Sequence, residues 1–206
     1  MASVLLNNQI TTSFGEFSHD RCVIGIDRDG VLNRDLGTYC YRPEDFEPIP
    51  YSMEAVALLR NLGHRIVIIT NQGGIEKGIY TINDVDKTHN YMLELLGRAG
   101  CSSIDAIYYS ASSRKDDMYA KPNTGMFKRC EREHPYIKFY QGYYVGDKIT
   151  DLKAAHKIGA KPVLVRTGYG KETEELLKKF AYRDIKKRAI IFDTLWDFAK
   201  YIEDQA

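Results

Sequence analysis

Carboxylates collect in this sequence where they would repel one another. Asp27 and Asp29 flank an arginine directly after the apolar run Cys22 to Ile26, Asp147 directly follows Tyr143 to Gly146, and Asp151 comes a helical turn later. Residues just after strands of one sheet point to one edge, and like charges gathered there raise each other's pKa. Something positive must hold them together, and a divalent cation is the obvious candidate. The ligands would be oxygens, with no His or Cys at these positions, which favours magnesium over zinc. Lys121 adds a second positive charge, Thr70 and Asn71 add neutral hydrogen-bonding groups, and Gly73-Gly74 exposes backbone N–H groups. Together these describe a phosphate site. Asp27 and Asp29, at i and i+2, leave their strand on the same side. That spacing suits a division of labour in which Asp27 attacks phosphorus and Asp29 protonates the departing oxygen, then deprotonates the water that breaks the acyl-phosphate. Such an acid should sit beside the nucleophile with its carboxylate off the metal, so that its pKa can rise.

The elements that must position these groups are legible as an alternation. Strands are expected at Cys22 to Ile26, Arg65 to Thr70, Ile104 to Ser110, Tyr143 to Gly146, Pro162 to Arg166 and Ala189 to Phe192. Helices are expected at Met53 to Leu62, Ile82 to Ala99, Pro122 to Glu133, Lys148 to Ile158, Lys171 to Tyr182 and Leu195 to Ile202, with Gly63, Gly100 and Gly159 as stops. The strands are apolar and β-branched throughout, as in a sheet covered on both faces. With right-handed crossovers this gives an α/β fold, a doubly wound, mostly parallel Rossmann-like sheet. Ligands of such sheets collect beyond the carboxyl ends of the strands, where the acidic residues lie. Two segments break the alternation, Val31 to Tyr51 with Pro43, Pro48 and Pro50, and the polar stretch Ser110 to Ala120; both are expected to be functional loops.

The composition is that of an ordinary globular chain. Of 206 residues, 44% are apolar and 28% charged, with 29 Lys plus Arg against 28 Asp plus Glu for a net charge of +1. That excludes a disordered chain or a disulfide-dense miniprotein, and the balance argues against a dedicated nucleic-acid binder. No run approaches the ~20 apolar residues of a membrane span, and residues 1–19 lack the pattern of a signal peptide. A cytoplasmic monomer with a short lead-in, acting on a small phosphorylated substrate without membrane or nucleic-acid partners, is expected. Cys22, Cys40, Cys101 and Cys130 are scattered without C-x-x-C spacing and read as buried or incidental thiols. His19, His64, His89, His134 and His156 show no ligand spacing and read as structural or exposed. The Tyr136 to Tyr144 run reads as packing, and the basic run from Lys178 to Arg188 as a solvated face or, less simply, a contact for an anionic partner.

The motifs resemble those of the haloacid-dehalogenase (HAD) superfamily of phosphohydrolases. Asp27-Arg28-Asp29-Gly30-Val31-Leu32-Asn33 is similar to its first motif, Thr70 to its second, Lys121 to its third, and Asp147 with Asp151 to its fourth. DRDGVLN (27–33), TNQGGIEKG (70–78), KPNTGMF (121–127), VGDKITDLKAA (145–155) and VLVRTGYG (163–170) are similar to the branch holding the heptose-bisphosphate phosphatases and the histidinol-phosphatase domain. The resemblance covers roughly residues 20 to 205 and implies one HAD-like hydrolase domain over 1–206, without a large cap, whose segment 31–51 serves as a flap. It implies Asp27 as nucleophile and magnesium ligand, Asp29 as acid/base giving the metal its backbone carbonyl, and Asp147 as the remaining protein ligand. Thr70, Asn71 and Lys121 would bind the transferring phosphoryl group, with Asp151 and Lys148 in support.

The chain departs from that branch in places. Many members carry a zinc loop of C-x-H…C-x-C type before the third motif; Ser110 to Ala120 has neither Cys nor His, so no structural zinc is expected. Ala120 stands where an arginine is frequent, and Lys77 where arginine is usual, which exchanges a bidentate fork for a point charge. Lys77 and Arg114 are the expected substrate contacts, with Lys115 as a substitute. The expected activity is a magnesium-dependent phosphomonoesterase acting through an aspartyl-phosphate, with D-glycero-D-manno-heptose 1,7-bisphosphate as the leading substrate. Histidinol phosphate, a polynucleotide 3′-phosphate, or phosphate binding without catalysis are the alternatives.

Overall fold

The structure, a computed structural model, describes residues 2–5 and 21–206. Its centre is strand β2 (Val23–Ile26), and the rest of the sheet is laid down on either side of it. After β2 the chain runs through α1 (Ser52–Asn61) to β3 (Arg65–Asn71), then α2 (Ile82–Arg98) to β4 (Ala106–Ser110). It then crosses back through α3 (Gly125–Glu133) to β5 (Tyr143–Gly146) on the other side of β2. From there α4 (Ile149–Ile158), β6 (Lys161–Val165), α5 (Gly170–Leu177), α6 (Arg183–Lys186), β7 (Ile190–Phe192) and α7 (Leu195–Glu203) complete the sheet. These strands are all parallel, and β1 (Ala2–Leu5) adds an antiparallel edge beside β4, giving a seven-stranded order β1-β4-β3-β2-β5-β6-β7. The expected doubly wound, mostly parallel sheet is therefore present. The order reverses between β2 and β5, which is where a crevice opens in such folds.

Period-2 alternation divides the core between the two faces. Ile24, Ile26, Ile66 and Ile68 face α1, α2 and α7, in one cluster with Val56, Leu59, Met92, Leu96 and Phe198. Val23, Val67, Ile69 and Tyr144 face the other way, against Met126, Phe127 and Cys130 of α3 and Ala154 and Ala155 of α4. Gly25 belongs to this second face and is bare for a reason. A Cβ there would lie 2.6 Å from Cδ2 of Tyr144, so the missing side chain is the seat of that ring. The cysteines are free.

Several boundaries differ from the sequence expectation, each for a local cause. Strand β4 starts at Ala106 rather than Ile104 because the Asp105 carboxylate takes the Ile66 N–H at 2.8 Å. Helix α3 starts at Gly125 rather than Pro122: residues 118–124 are held in turns, with Asn123 Nδ2 donating to the carbonyls of Lys115 and Asp117 and Gly125 N–H to that of Met118. The helix expected over Lys171 to Tyr182 ends at Leu177 and gives way to a 3-10 turn, Phe180–Tyr182, and α6. The break lets Leu177 and Ile185 both pack on Leu152 and Leu164 while Phe180 faces solvent. Residues 2–5 of the expected lead-in pair as β1; the remainder of that lead-in lies outside the described residues. Among the described residues, no helix is long and apolar enough to cross a membrane.

One buried carboxylate pins the amino end of the sheet. Asp105 takes Arg60 Nη1 of α1 at 3.2 Å, Arg65 Nη1 of β3 at 3.1 Å and the Ile66 N–H. Hydrogen bonds to a charged partner contribute about 1.5–3 kcal/mol each at most, and they share desolvation here, so Asp105→Ala is expected to cost about 2–3 kcal/mol. Urea denaturation should show a lower midpoint with an unchanged m-value; an unchanged midpoint would show that the bonds contribute nothing net.

Candidate active site

The crevice between the ends of β2 and β5 is occupied by carboxylates. Asp27 continues the ladder past β2, its N–H bonded to the Val145 carbonyl at 2.9 Å. Asp147 follows β5 directly and Asp151 lies in the first turn of α4, its carboxylate closing that turn on the Lys148 N–H at 3.0 Å. All three are buried, and each offers a ligand oxygen within 4.8 Å of the others.

Lys121 supplies the compensating charge. The loop after β4 brings it in, and Asn71 at the end of β3 fixes its backbone from both sides: Oδ1 accepts the Lys121 N–H at 2.9 Å and Nδ2 donates to its carbonyl at 3.1 Å. The ammonium lies 2.8 Å from both Asp27 Oδ1 and Asp151 Oδ1, and donates to the Tyr144 hydroxyl at 2.8 Å and the Ile69 carbonyl at 3.0 Å. Burial alone would lower its pKa, but Asp151 and Asp27 outweigh burial and raise it.

The carboxylates respond unequally. Burial, with a smaller contribution from Asp151, pushes Asp27 up to about 6 against the pull of Lys121. Asp147 is raised well above the usual range by burial, then by Asp151 and Asp27, with only Lys148 and one N–H opposing. Its Oδ2 accepts the Tyr169 N–H at 2.8 Å, while Oδ1 is buried without a hydrogen-bond partner. An orphaned buried oxygen beside two further carboxylates suits a hard divalent cation. The cation would fall to Asp147 together with Asp27 or Asp151, both of which Lys121 also approaches at 2.8 Å.

Asp29 is in a different environment, and here the sequence expectation is corrected. Its pKa is lowered rather than raised. Burial would raise it, but the fully buried Arg28 guanidinium outweighs burial, helped by bonds from Asn33 and Gln72. Arg28 donates from Nε at 3.1 Å and Nη2 at 3.0 Å, Asn33 Nδ2 donates at 3.0 Å, and Gln72 Nε2 at 3.1 Å. Arg28 also donates to the Cys40 carbonyl at 2.7 Å and meets His89 Nε2 at 3.3 Å. Burial, then the charge on Arg28, depresses His89 to about 3, so it stands neutral behind the guanidinium.

The remaining expected residues divide. Thr70 is buried at the end of β3 and accepts from Gln72 Nε2 at 3.1 Å, in line with the site. The side chain of Asn71, expected on the phosphoryl group, clamps the Lys121 backbone. Lys148 donates to Asp35 of the 31–51 segment at 2.8 Å, and Asp147, Asp27 and Asp35 raise it against burial. Lys77 is exposed and donates to the Tyr39 hydroxyl at 2.8 Å; Arg114 is exposed and pairs with Glu76 at 3.3 Å and Asp116 at 3.5 Å. The partners of these two do not belong to the carboxylate cluster, so the structure does not join them to it. Ser110 to Ala120 is a loop tied by its own hydroxyls and carboxylates, with Ser112 Oγ on Glu76 Oε2 at 2.6 Å. The sequence reading missed Arg28, Asn33, Gln72 and Tyr144. The first two lie inside the DRDGVLN stretch, and an arginine between two acidic residues at a strand end was the available signal.

A HAD-hydrolase-like family model matches residues 118–198, the part of the chain that carries Lys121, Asp147 and Asp151. The fold and this site thus define a hydrolase of the HAD-like class. The chain is 33% identical over 181 residues, 87% of its length and 94% of the other, to the D-glycero-beta-D-manno-heptose-1,7-bisphosphate 7-phosphatase of Neisseria meningitidis serogroup A / serotype 4A. It is 36% identical over 164 residues, 73% of this chain and 81% of the other, to the D-glycero-D-manno-heptose-1,7-bisphosphate 7-phosphatase of Chlorobaculum tepidum. Among solved structures it is similar to the D,D-heptose 1,7-bisphosphate phosphatase of B. bronchiseptica complexed with magnesium and phosphate, with a TM-score of 0.80, 28% identity, and coverage of 90% of this chain and 99% of that one. The chain belongs to the D-glycero-D-manno-heptose-1,7-bisphosphate 7-phosphatase family of HAD-like phosphatases.

The electrostatics give a thermal signature. Without a cation, Asp27 and Asp147 are held above their unfolded pKa values, so their ionisation opposes folding as pH rises through the folded values. Magnesium chloride at neutral pH is therefore expected to raise Tm by several degrees. Asp147→Asn should abolish that rise and melt no lower than wild type in metal-free buffer. A wild-type variant pair that responds equally to magnesium would place the cation elsewhere.

Proposed function

We propose that this phosphatase removes the 7-phosphate of D-glycero-D-manno-heptose 1,7-bisphosphate through an aspartyl-phosphate on Asp27, with Mg2+ as cofactor. The observation that carries this reading is the separation of two neighbouring carboxylates by two different cations: Asp27 on Lys121, Asp29 on Arg28. Lys121 puts positive charge beside Asp27 where a phosphoryl group would be attacked, and Arg28 with Asn33 and Gln72 holds the Asp29 carboxylate in a separate hydrogen-bond set. Similarity over most of the chain to heptose bisphosphate phosphatases supports the substrate.

In this reading Asp27, the Asp29 backbone carbonyl and Asp147 would hold the cation, which would supply positive charge against the phosphoryl oxygens. Lys121 and Thr70 bind the phosphoryl group. An oxygen of Asp27 attacks phosphorus, the bond to the sugar oxygen breaks, and Asp29 delivers a proton to that oxygen. Asp29, then ionised, takes a proton from the water that attacks the acyl-phosphate, returning Asp27 and inorganic phosphate. Asp151 acts through Lys121, and Lys148 through Asp35. Residues 31–51 form the flap of one hydrolase domain, and Lys77 and Arg114 lie with the loops that would face the sugar. The favoured setting is a cytoplasmic monomer without nucleic-acid or membrane partners.

The test is phosphate release from both anomers of the heptose bisphosphate, histidinol phosphate, p-nitrophenyl phosphate and a 3′-phosphorylated oligonucleotide, with and without magnesium. Highest kcat/KM on a heptose bisphosphate, dependent on magnesium and reduced by at least about 10³-fold in Asp27→Asn, is expected for loss of a covalent nucleophile. Comparable turnover by Asp27→Asn would overturn the covalent route, and a better rate on histidinol phosphate or the oligonucleotide would overturn the substrate.

A further inference from the structure

Gln72 has every hydrogen-bonding position of its side chain satisfied within the site. Its Oε1 accepts from the Tyr80 hydroxyl at 2.9 Å and from Arg28 Nη2 at 3.3 Å. Its Nε2 donates to Asp29 Oδ2 and to Thr70 Oγ1, both at 3.1 Å. A primary amide offers two lone pairs and two N–H groups, so no capacity is left over, and the amide cannot be turned without placing its donors against Arg28. The residue is buried, so a lost bond is not replaced by bulk water. Tyr80, also buried, has its ring held in place beside Gln72: a Cβ on Gly74 would lie 2.1 Å from Tyr80 Cε1, and the ring stacks on Tyr41 at 5.0 Å and 10°. Neither Gln72 nor Tyr80 lies among the metal-binding carboxylates.

We propose that Gln72, locked by Tyr80, is a positioning residue that fixes the carboxylate of Asp29 relative to Thr70 and so aims the acid at the leaving oxygen. The proposal rests on the reading of Asp29 as the acid/base. It acts through Asp29 and Thr70, and it distinguishes esters by what they ask of the acid. A sugar alkoxide leaves only when protonated, whereas p-nitrophenolate leaves without help. Mispositioning the acid therefore slows the first ester far more than the second, while general damage to the site slows both alike.

The experiment uses Tyr80→Phe, which removes one hydroxyl and keeps the ring on Tyr41, together with Gln72→Met, which removes the amide and keeps its bulk. Asp29→Asn is the reference. Each is assayed on the best alkyl phosphate of the panel above and on p-nitrophenyl phosphate, with Tm recorded. Since a general acid contributes about 10²–10⁴-fold, Tyr80→Phe is expected to lose about tenfold in kcat on the alkyl ester and under about threefold on the aryl ester, with KM nearly unchanged. Gln72→Met should show the same pattern, larger, and Asp29→Asn the largest. Equal losses on the two esters in both variants, or no loss in either, while Asp29→Asn keeps its preference for damaging the alkyl ester, would overturn the positioning role alone. Equal losses in Asp29→Asn itself would overturn the acid assignment and this inference with it.

Discussion

The structure turns on one ammonium group. Lys121 stands buried between Asp27 and Asp151, and without it three carboxylates would share the end of the sheet with no fixed positive charge inside their cluster. Charges are rarely buried unless paired and hydrogen-bonded, and much of the surrounding fold can be read as meeting that condition. Asn71 holds the backbone of Lys121, the Tyr144 hydroxyl and the Ile69 carbonyl accept from its ammonium, and Gly25 is bare so that the Tyr144 ring can reach it. A glycine in the central strand thus serves a lysine that is almost a hundred positions later in the chain.

Topology makes that meeting unavoidable. The chain fills the β3 and β4 side of the sheet, then crosses to β5, so the ends of β2 and β5 become neighbours without being neighbours in sequence. The crossing segment must pass over the carboxyl edge before entering α3, and its turns from 115 to 125 deliver Lys121 there. Lys121 compensates Asp27 and Asp151 but leaves Asp147 with one unsatisfied oxygen. A divalent cation would remove that residual imbalance.

Legibility in the sequence followed the range of the interactions. The strands around the site could be read because each is an apolar run, and Asp27, Thr70, Lys121 and Asp147 because each sits at a strand end or in a motif. Asp29 was found by its spacing, yet its electrostatics were read the wrong way: its neighbour Arg28 was passed over as a filler between two acids. In an extended chain, adjacent side chains point apart, so a guanidinium folding back onto the next residue is not a sequence-level expectation. Gln72 and Tyr80 were invisible for a related reason, since their roles exist only as a closed set of four bonds. The edge strand β1, four residues long, carries too little periodicity to stand out before its partner β4 is in place. The division of the expected helix over 171–182 depended on Leu177 and Ile185 sharing one pocket with Leu152 and Leu164, a tertiary fact.

The lowered pKa of Asp29 has a consequence for how the proposed reaction is staged. Arg28 favours the ionised carboxylate, which is the form wanted for activating water in the second half of the reaction. The first half needs the protonated form. A phosphoryl dianion seated on Lys121 and Thr70 would stand beside Asp29 as a like charge, and like charges raise a carboxyl's affinity for protons. Substrate and Arg28 therefore pull in opposite directions on one group. In this reading the guanidinium favours the ionised form throughout, the phosphoryl group favours the protonated form for as long as it stays at the site, and delivery of the proton to the sugar oxygen leaves Asp29 ionised for the water step. A neutral residue in place of Arg28 would remove this opposition, leaving an acid that is easier to protonate but a weaker base for the water. A fully buried arginine is costly to accommodate, and its bonds to Cys40 and Gln72 tie the 31–51 segment and the end of β3 to it. That investment is explained if the acid must change its protonation state within each turnover.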